Sequence, residues 1–309
     1  MAEILTLGEI LVEVMAKKVG QTFKETGDLI GPFPSGAPAI FIDQVAKIGS
    51  EAGIISVIGD DDFGKINYEK LQADGVDTSK IRTTKERSTG VAFVTYKEDG
   101  DRDFIFHLDN SAAGLLSEED IREEDFDGCK YFHIMGTALY NSSIIKAVDK
   151  AIDICKKKGI KISFDPNIRK EMLKNDEIKK ALERIYEACD IFMPSGDEIN
   201  LFVDGEDEKS SVQAILDQGK EYVVIKKGSE GCSAYSKDLF IKCDPLNVVE
   251  VDPTGAGDCF GGTFISCINQ GIEFRKAVAY ANVAGALAVT KKGPMAGNSN
   301  LEKLKNYMI

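Results

Sequence analysis

Short apolar runs of strand length recur along this chain with helical stretches between them, and that alternation restricts the possible folds more than any other feature. The runs at residues 3–7, 52–58, 130–135, 161–164, 191–193 and 221–225 are β-branched or aromatic in character. They are short enough to be buried on both faces. Helical segments at about 38–48, 63–73, 143–157, 175–188 and 210–218 separate them, and the last third turns helical at 259–270, 274–290 and 300–307. Strand–helix–strand repetition predicts an α/β fold with a mostly parallel central sheet flanked by helices.

One region breaks the alternation. Residues 88–97 and 102–108 are extended runs joined by Glu98-Asp99-Gly100-Asp101, a turn-forming sequence, with no helix after either arm. With residues 10–33, which also lack helical periodicity, this hairpin suits a small projecting β-sheet acting as a lid or a dimer surface; an edge hairpin on the main sheet is the plainer reading. Val91, Phe93, Phe104 and Phe106 would supply the lid with an apolar face. No repeat or interdomain linker is visible in the 309 residues, so 1–309 reads as a single domain with a lid subdomain at about 10–33 and 88–112.

Composition narrows the function. Fifty-one acidic against 38 basic side chains give a net charge of -13, which argues against nucleic acid or an anionic membrane as partner. No apolar run approaches the ~20 residues of a membrane span, and the start lacks a basic n-region, so a cytoplasmic location is expected. Seven cysteines without CxxC spacing suit free thiols, and with only His107 and His133 a His-rich zinc site or a serine-hydrolase triad is disfavoured.

The segment richest in chemistry runs from Asn247 to Phe264, where Val251-Asp252-Pro253-Thr254-Gly255-Ala256-Gly257-Asp258 carries an apolar strand into two glycines and a helix start. Amides at a helix N-terminus lack intrahelical partners and sit at the positive end of the dipole, so they form an anion hole suited to a phosphate. A carboxylate there repels an anion unless its task is to take a proton, which makes Asp258 a general base for an alcohol nucleophile. Helix capping is the structural alternative for Asp258. Gly255-Ala256-Gly257 lacks the third glycine of a dinucleotide fingerprint, and the stretch from Gly59 to Lys65 ends in Ile66 where a P-loop needs Ser or Thr.

These residues resemble the signature of PfkB-type carbohydrate kinases, which have the ribokinase-like fold. The likeness continues in family order through Pro34-Ser35-Gly36-Ala37-Pro38-Ala39, Gly59-Asp60-Asp61-Asp62-Phe63-Gly64, Leu71-Gln72-Ala73-Asp74-Gly75-Val76, Thr89-Gly90-Val91-Ala92, Asn110-Ser111-Ala112-Ala113 and Phe164-Asp165-Pro166-Asn167-Ile168-Arg169. The resemblance implies an ATP-dependent sugar kinase in which Asp258 deprotonates the sugar hydroxyl and the amides of Gly255, Ala256 and Gly257 stabilise the phosphoryl group in flight. ATP with Mg2+ is the implied donor, the metal offsetting charge. The resemblance also places Ser195, Lys226, Gly228 and Gly231 on the nucleotide side with Thr254, Gly255 and Gly257, and Asn282 on the helix bordering adenine, where close helix packing is an equal alternative. A monovalent cation such as K+ beside Asp252 is common among such relatives.

On the sugar side the resemblance points to Glu13, Ser35, Gly36, Ala37, Ile40, Phe106 and Asn167. Glu13 would grip sugar hydroxyls, or be a solvated residue of the lid. Ile40 stands where ribokinases and fructokinases often have a sugar-binding asparagine, which leaves one apolar wall. Arg169 is the cationic candidate for a phosphate or substrate acid, with a surface ion pair as its alternative. Glu198 matches the family's magnesium-organising glutamate, acting through water; Ser195 replaces its asparagine partner and equally suits an N-cap. The reading is a ketohexose kinase acting on a primary hydroxyl of a tagatose- or fructose-like sugar, working as a homodimer through the lid. A 2-keto-3-deoxygluconate kinase is the alternative, followed by a nucleotide-cofactor oxidoreductase and a non-catalytic sugar sensor.

Overall fold

A computed structural model of the chain describes residues 1–98, 102–168 and 172–308. Its main sheet has nine strands. In chain order they are β1 (Ile4–Leu7), β4 (Ala52–Gly59), β5 (Ile81–Thr84), β8 (Tyr131–Met135), β9 (Lys161–Asp165), β10 (Ile191–Phe192), β11 (Tyr222–Lys226), β12 (Cys232–Tyr235) and β13 (Phe240–Cys243). The spatial order is β13-β12-β11-β10-β9-β8-β1-β4-β5, parallel from β11 to β5, with β12 and β13 antiparallel at one edge. The chain therefore winds outward from β1 in both directions, and such a reversal leaves a crevice at the carboxyl ends of the strands.

Strand alternation divides the interior into two layers. Leu5 and Leu7 of β1 pack with Phe132, Ile134, Ile162 and Phe164 beneath α3 (Ser142–Lys158) and α4 (Asp176–Ala188). Ile4 joins Ile54, Ile191 and Val224 beneath α1 (Ala37–Ile48), α6 (Ala256–Asn269) and α7 (Phe274–Ala288). The remaining helices are α2 (Asp62–Ala73), α5 (Glu208–Asp217) and α8 (Leu301–Lys305). Helix α1 is tied to α6 and the C-terminal segment by buried Gln44, whose Nε2 donates to Thr263 Oγ1 at 2.9 Å and to Ser299 O at 2.8 Å. Those bonds satisfy an amide that would otherwise be costly to bury.

A separate four-stranded sheet has the order β3-β2-β6-β7, from β2 (Leu11–Ala16), β3 (Leu29–Ser35), β6 (Gly90–Tyr96) and β7 (Arg102–His107). This is the small lid sheet expected from the two non-helical stretches, although the turn residues 99–101 lie outside the described residues. Its faces differ from the expected grouping. Ala92 pairs with Phe106 and Val94 with Phe104, whereas Val91 pairs with His107 and Phe93 with Ile105. Directly opposed residues share a face, so Phe104 and Phe106 face the interior and Val91 and Phe93 the outside. The outer face carries Ile105, 45% exposed, and Phe93, whose ring meets Phe23 edge-on at 6.0 Å.

No helix among the described residues is long and apolar enough to cross a membrane. His133 is a buried strand residue, with Nδ1 at 2.8 Å from Ser163 Oγ and its ring stacked on Phe41.

Candidate active site

A cavity of about 660 Å3 opens where the strands end. Glu9 follows β1, Thr137 follows β8, Asn167 follows β9, Ser195 follows β10, and Lys226 ends β11; all five line it. The lid closes one side with Glu13, Ala92, Arg102, Phe104 and Phe106, and α1 contributes Ala37 and Ile40 behind Ser35 and Gly36. Gly36 permits that approach: at φ 112° it caps α1, and a Cβ there would stand 2.4 Å from Glu9 O.

The floor is the start of α6. Gly255 occupies its N-cap in the left-handed region at φ 85°, and a Cβ would meet Pro294 O at 2.7 Å. The helical ladder begins with Cys259 N donating to Gly255 O at 2.8 Å, so the amides of residues 256–258 precede it. Gly255, Ala256, Gly257 and Asp258 all line the cavity. Asp258 is 6% exposed and sits in the first turn, while Gly255 holds the N-cap position that the capping alternative would give to Asp258.

A second cavity of about 390 Å3 lies on the other side of this floor and shares Lys226, Pro253, Ala256 and Gly257 with the first. Gly228, Gly231, Asn282, Gly285 and Ala286 line it, so the residues expected on the nucleotide side meet there. Asn282 Nδ2 donates to Asp244 O at 2.8 Å, fixing the α7 wall to the loop opposite. Thr254, Gly255 and Ser195, also expected on the nucleotide side, line the larger cavity and not the smaller.

Lys226 stands between the cavities, buried and ion-paired with Asp165. Burial pushes the Asp165 carboxyl up, and the lysine opposes that rise. Glu198 lines neither cavity. Its Oε1 accepts from Ile168 N at 2.6 Å and its Oε2 from Ser195 N at 2.7 Å, so it pins the loops after β9 and β10. Burial, then the charge of Asp165, raises its pKa. Each Glu198 oxygen keeps a further acceptor site, which suits contact with a metal's water shell. Asp252 is fully buried and accepts from Tyr96 Oη at 3.0 Å, Thr254 N at 3.1 Å and Gly293 N at 2.9 Å. Oδ1 takes two of these bonds and Oδ2 only one, so Oδ2 keeps an acceptor site with which Asp252 could help hold a monovalent cation.

Glu13 is not a solvated lid residue: it is 2% exposed, with Ser35 Oγ 3.4 Å from Oε2. Burial foremost, then the negative charge of Asp252, pushes its carboxyl up to about 8, against the pull of Arg102. Two further wall atoms, Thr137 Oγ1 and Tyr140 Oη, are buried without a hydrogen-bond partner. Buried polar groups are ordinarily hydrogen-bonded, so these two hydroxyls in the cavity wall call for a partner. Arg169 lies outside the described residues. Reasoning from sequence missed Glu9, Arg102, Thr137 and Tyr140. Arg102 was within reach, because strand alternation puts it on the face of Phe104 and Phe106.

The model of the pfkB family carbohydrate kinases matches residues 1–301. The chain belongs to this family. It is 30% identical over 299 residues to a probable fructokinase-5 of Arabidopsis thaliana, covering 94% of this chain and 92% of the relative. An E. coli protein provisionally named ribokinase II, solved with ATP and Mg2+, is 47% identical, with a TM-score of 0.95 over 99% of each chain. A fructokinase from Vibrio cholerae, solved with fructose, ADP and potassium, is 25% identical, with a TM-score of 0.85 over 100% of this chain and 99% of the other. This pfkB carbohydrate kinase is thus an enzyme with the ribokinase-like fold, and the oxidoreductase and sensor readings fall.

Proposed function

We propose that the enzyme transfers the γ-phosphoryl group of ATP to a primary hydroxyl of a ketohexose. The observation that carries this reading is Asp258, at the start of α6 and facing the larger cavity, with Gly257 and Lys226 shared with the smaller one. The sugar occupies the larger cavity and ATP the smaller, so the two meet over the α6 amides. Asp258 accepts the proton of the attacking hydroxyl. The amides across Gly255, Ala256 and Gly257 stabilise charge on the moving phosphoryl group, and Lys226 adds a cation at the junction. Glu198 would order the water shell of Mg2+ bound with the nucleotide phosphates, and the ion would supply charge neutralisation there. Phe104 and Phe106 on the lid exclude water, which would otherwise accept the phosphoryl group.

Glu13, Asn167, Thr137 and Tyr140 supply hydroxyl-binding groups, and Ile40 gives the cavity its apolar side. The fructokinase relatives support a ketohexose. One observation favours 2-keto-3-deoxygluconate as a second reading: Arg102 reaches the sugar-side cavity and could meet a carboxylate. In the same proposal the outer lid face, with Phe93 and Ile105, joins a second copy of the chain. Coupled measurement of ADP release with tagatose, fructose and 2-keto-3-deoxygluconate tests the substrate. A ketohexose should give the highest kcat/KM, and a preference for the acid would overturn that choice.

A further inference from the structure

The lid touches the signature loop through one rung of its hairpin. Tyr96 and Arg102 are directly opposed across β6 and β7, so both side chains leave the same face. Tyr96 Oη donates to Asp252 Oδ1 at 3.0 Å, and Arg102 Nη1 donates to Thr254 Oγ1 at 2.9 Å. The Arg102 guanidinium lies over the Phe104 ring, 5.4 Å from its centroid, which limits its freedom. Asp252 uses its other bonds to fold the loop itself, taking Thr254 N on Oδ1 and Gly293 N on Oδ2. Thr254 immediately precedes Gly255, the left-handed residue from which α6 starts. Both lid bonds therefore end on the residues that aim the α6 amides.

We infer that Tyr96 and Arg102 are positioning residues that act through Asp252 and Thr254 to hold the Gly255–Gly257 amides where phosphoryl transfer needs them. The inference goes beyond the substrate assignment and rests on reading those amides as the anion hole. Preorganised donors lose effect with small displacements, so a loosened loop slows the chemical step. An arginine bonded to Thr254 acts on that step more than on sugar affinity, and its loss should appear in kcat.

The test uses the full chain and the variants Arg102→Ala, Arg102→Lys, Tyr96→Phe, Thr254→Val and the double variant Arg102→Ala/Thr254→Val, with kcat and both KM values measured. Arg102→Ala should lower kcat about 10- to 100-fold with KM for ATP and sugar within about threefold, and Arg102→Lys should restore part of it. Tyr96→Phe should lower kcat in the same pattern. The double variant should be little worse than the poorer single one, because both changes remove one bond. Losses that multiply, an unchanged kcat, or a raised sugar KM at constant kcat would overturn the inference, the last marking Arg102 as a direct sugar ligand. Should Arg102→Ala fail to fold, Tyr96→Phe and Arg102→Lys, which nearly preserve side-chain volume, decide it by the same criteria. Near-normal turnover in Asp258→Asn would sink the reading of the base and anion hole, whereas the double-variant comparison judges the lid bonds separately.

Discussion

Replacing Glu13 by glutamine should change how the stability of the protein depends on pH. The carboxyl is buried and its pKa stands at about 8, against an ordinary value of 4.5. Between those values the folded protein keeps a proton that the unfolded chain has released. The native state therefore binds more protons, and stability falls as pH rises, by about 1.4 kcal/mol per pH unit for this one group. The favourable contribution is fully present below about pH 4.5 and is lost as pH climbs through about 8, for a total on the order of 5 kcal/mol. Glutamine resembles the protonated acid in shape and does not titrate. Urea unfolding of wild type and Glu13→Gln at intervals between about pH 5 and pH 9 isolates the contribution, since other groups cancel in the difference. The variant should gain on wild type by about 3 kcal/mol between pH 5.5 and 7.5. Parallel pH dependences would refute the reasoning, because they would mean that Glu13 is as well solvated in the folded protein as in the unfolded chain.

Two further substitutions probe the floor of the site. Gly255→Ala places a side chain in the left-handed region with its Cβ 2.7 Å from Pro294 O, and should cost about 2–4 kcal/mol of stability by denaturant midpoint while sharply lowering kcat. Lys226→Met leaves Asp165 buried and unpaired, and should destabilise by about 3–5 kcal/mol. Adding Asp165→Asn should recover much of that stability in the same melts, but not turnover, if Lys226 also serves the phosphates.

The strands of the parallel core were legible because each is a short apolar run, and β1, β8 and β11 fall within a residue of the expected bounds. Strand β5 was not: Ile81-Arg82-Thr83-Thr84 is an edge strand with two exposed residues, and its sequence shows little hydrophobic signal. The β12–β13 hairpin escaped for a similar reason, since only one sheet neighbour covers β13 and Phe240 and Lys242 face outward. The lid was visible as two non-helical stretches, but its faces depend on register, which the turn fixes and composition does not. In the site, the glycines, Asp258 and the Lys226 loop announced themselves through local motifs. Glu9, Thr137 and Tyr140 did not, because only the sheet order brings the ends of β1 and β8 to one cleft.

The central claim is that Asp258 removes the proton from the sugar hydroxyl while the α6 amides hold the phosphoryl group. Steady-state turnover of Asp258→Asn with ATP and the preferred ketohexose, beside ATP binding measured by calorimetry, tests it most directly. The account predicts a loss in kcat of about 100- to 10,000-fold with ATP affinity changed by no more than a few fold. Turnover within about threefold of wild type, with ATP bound normally, would contradict it.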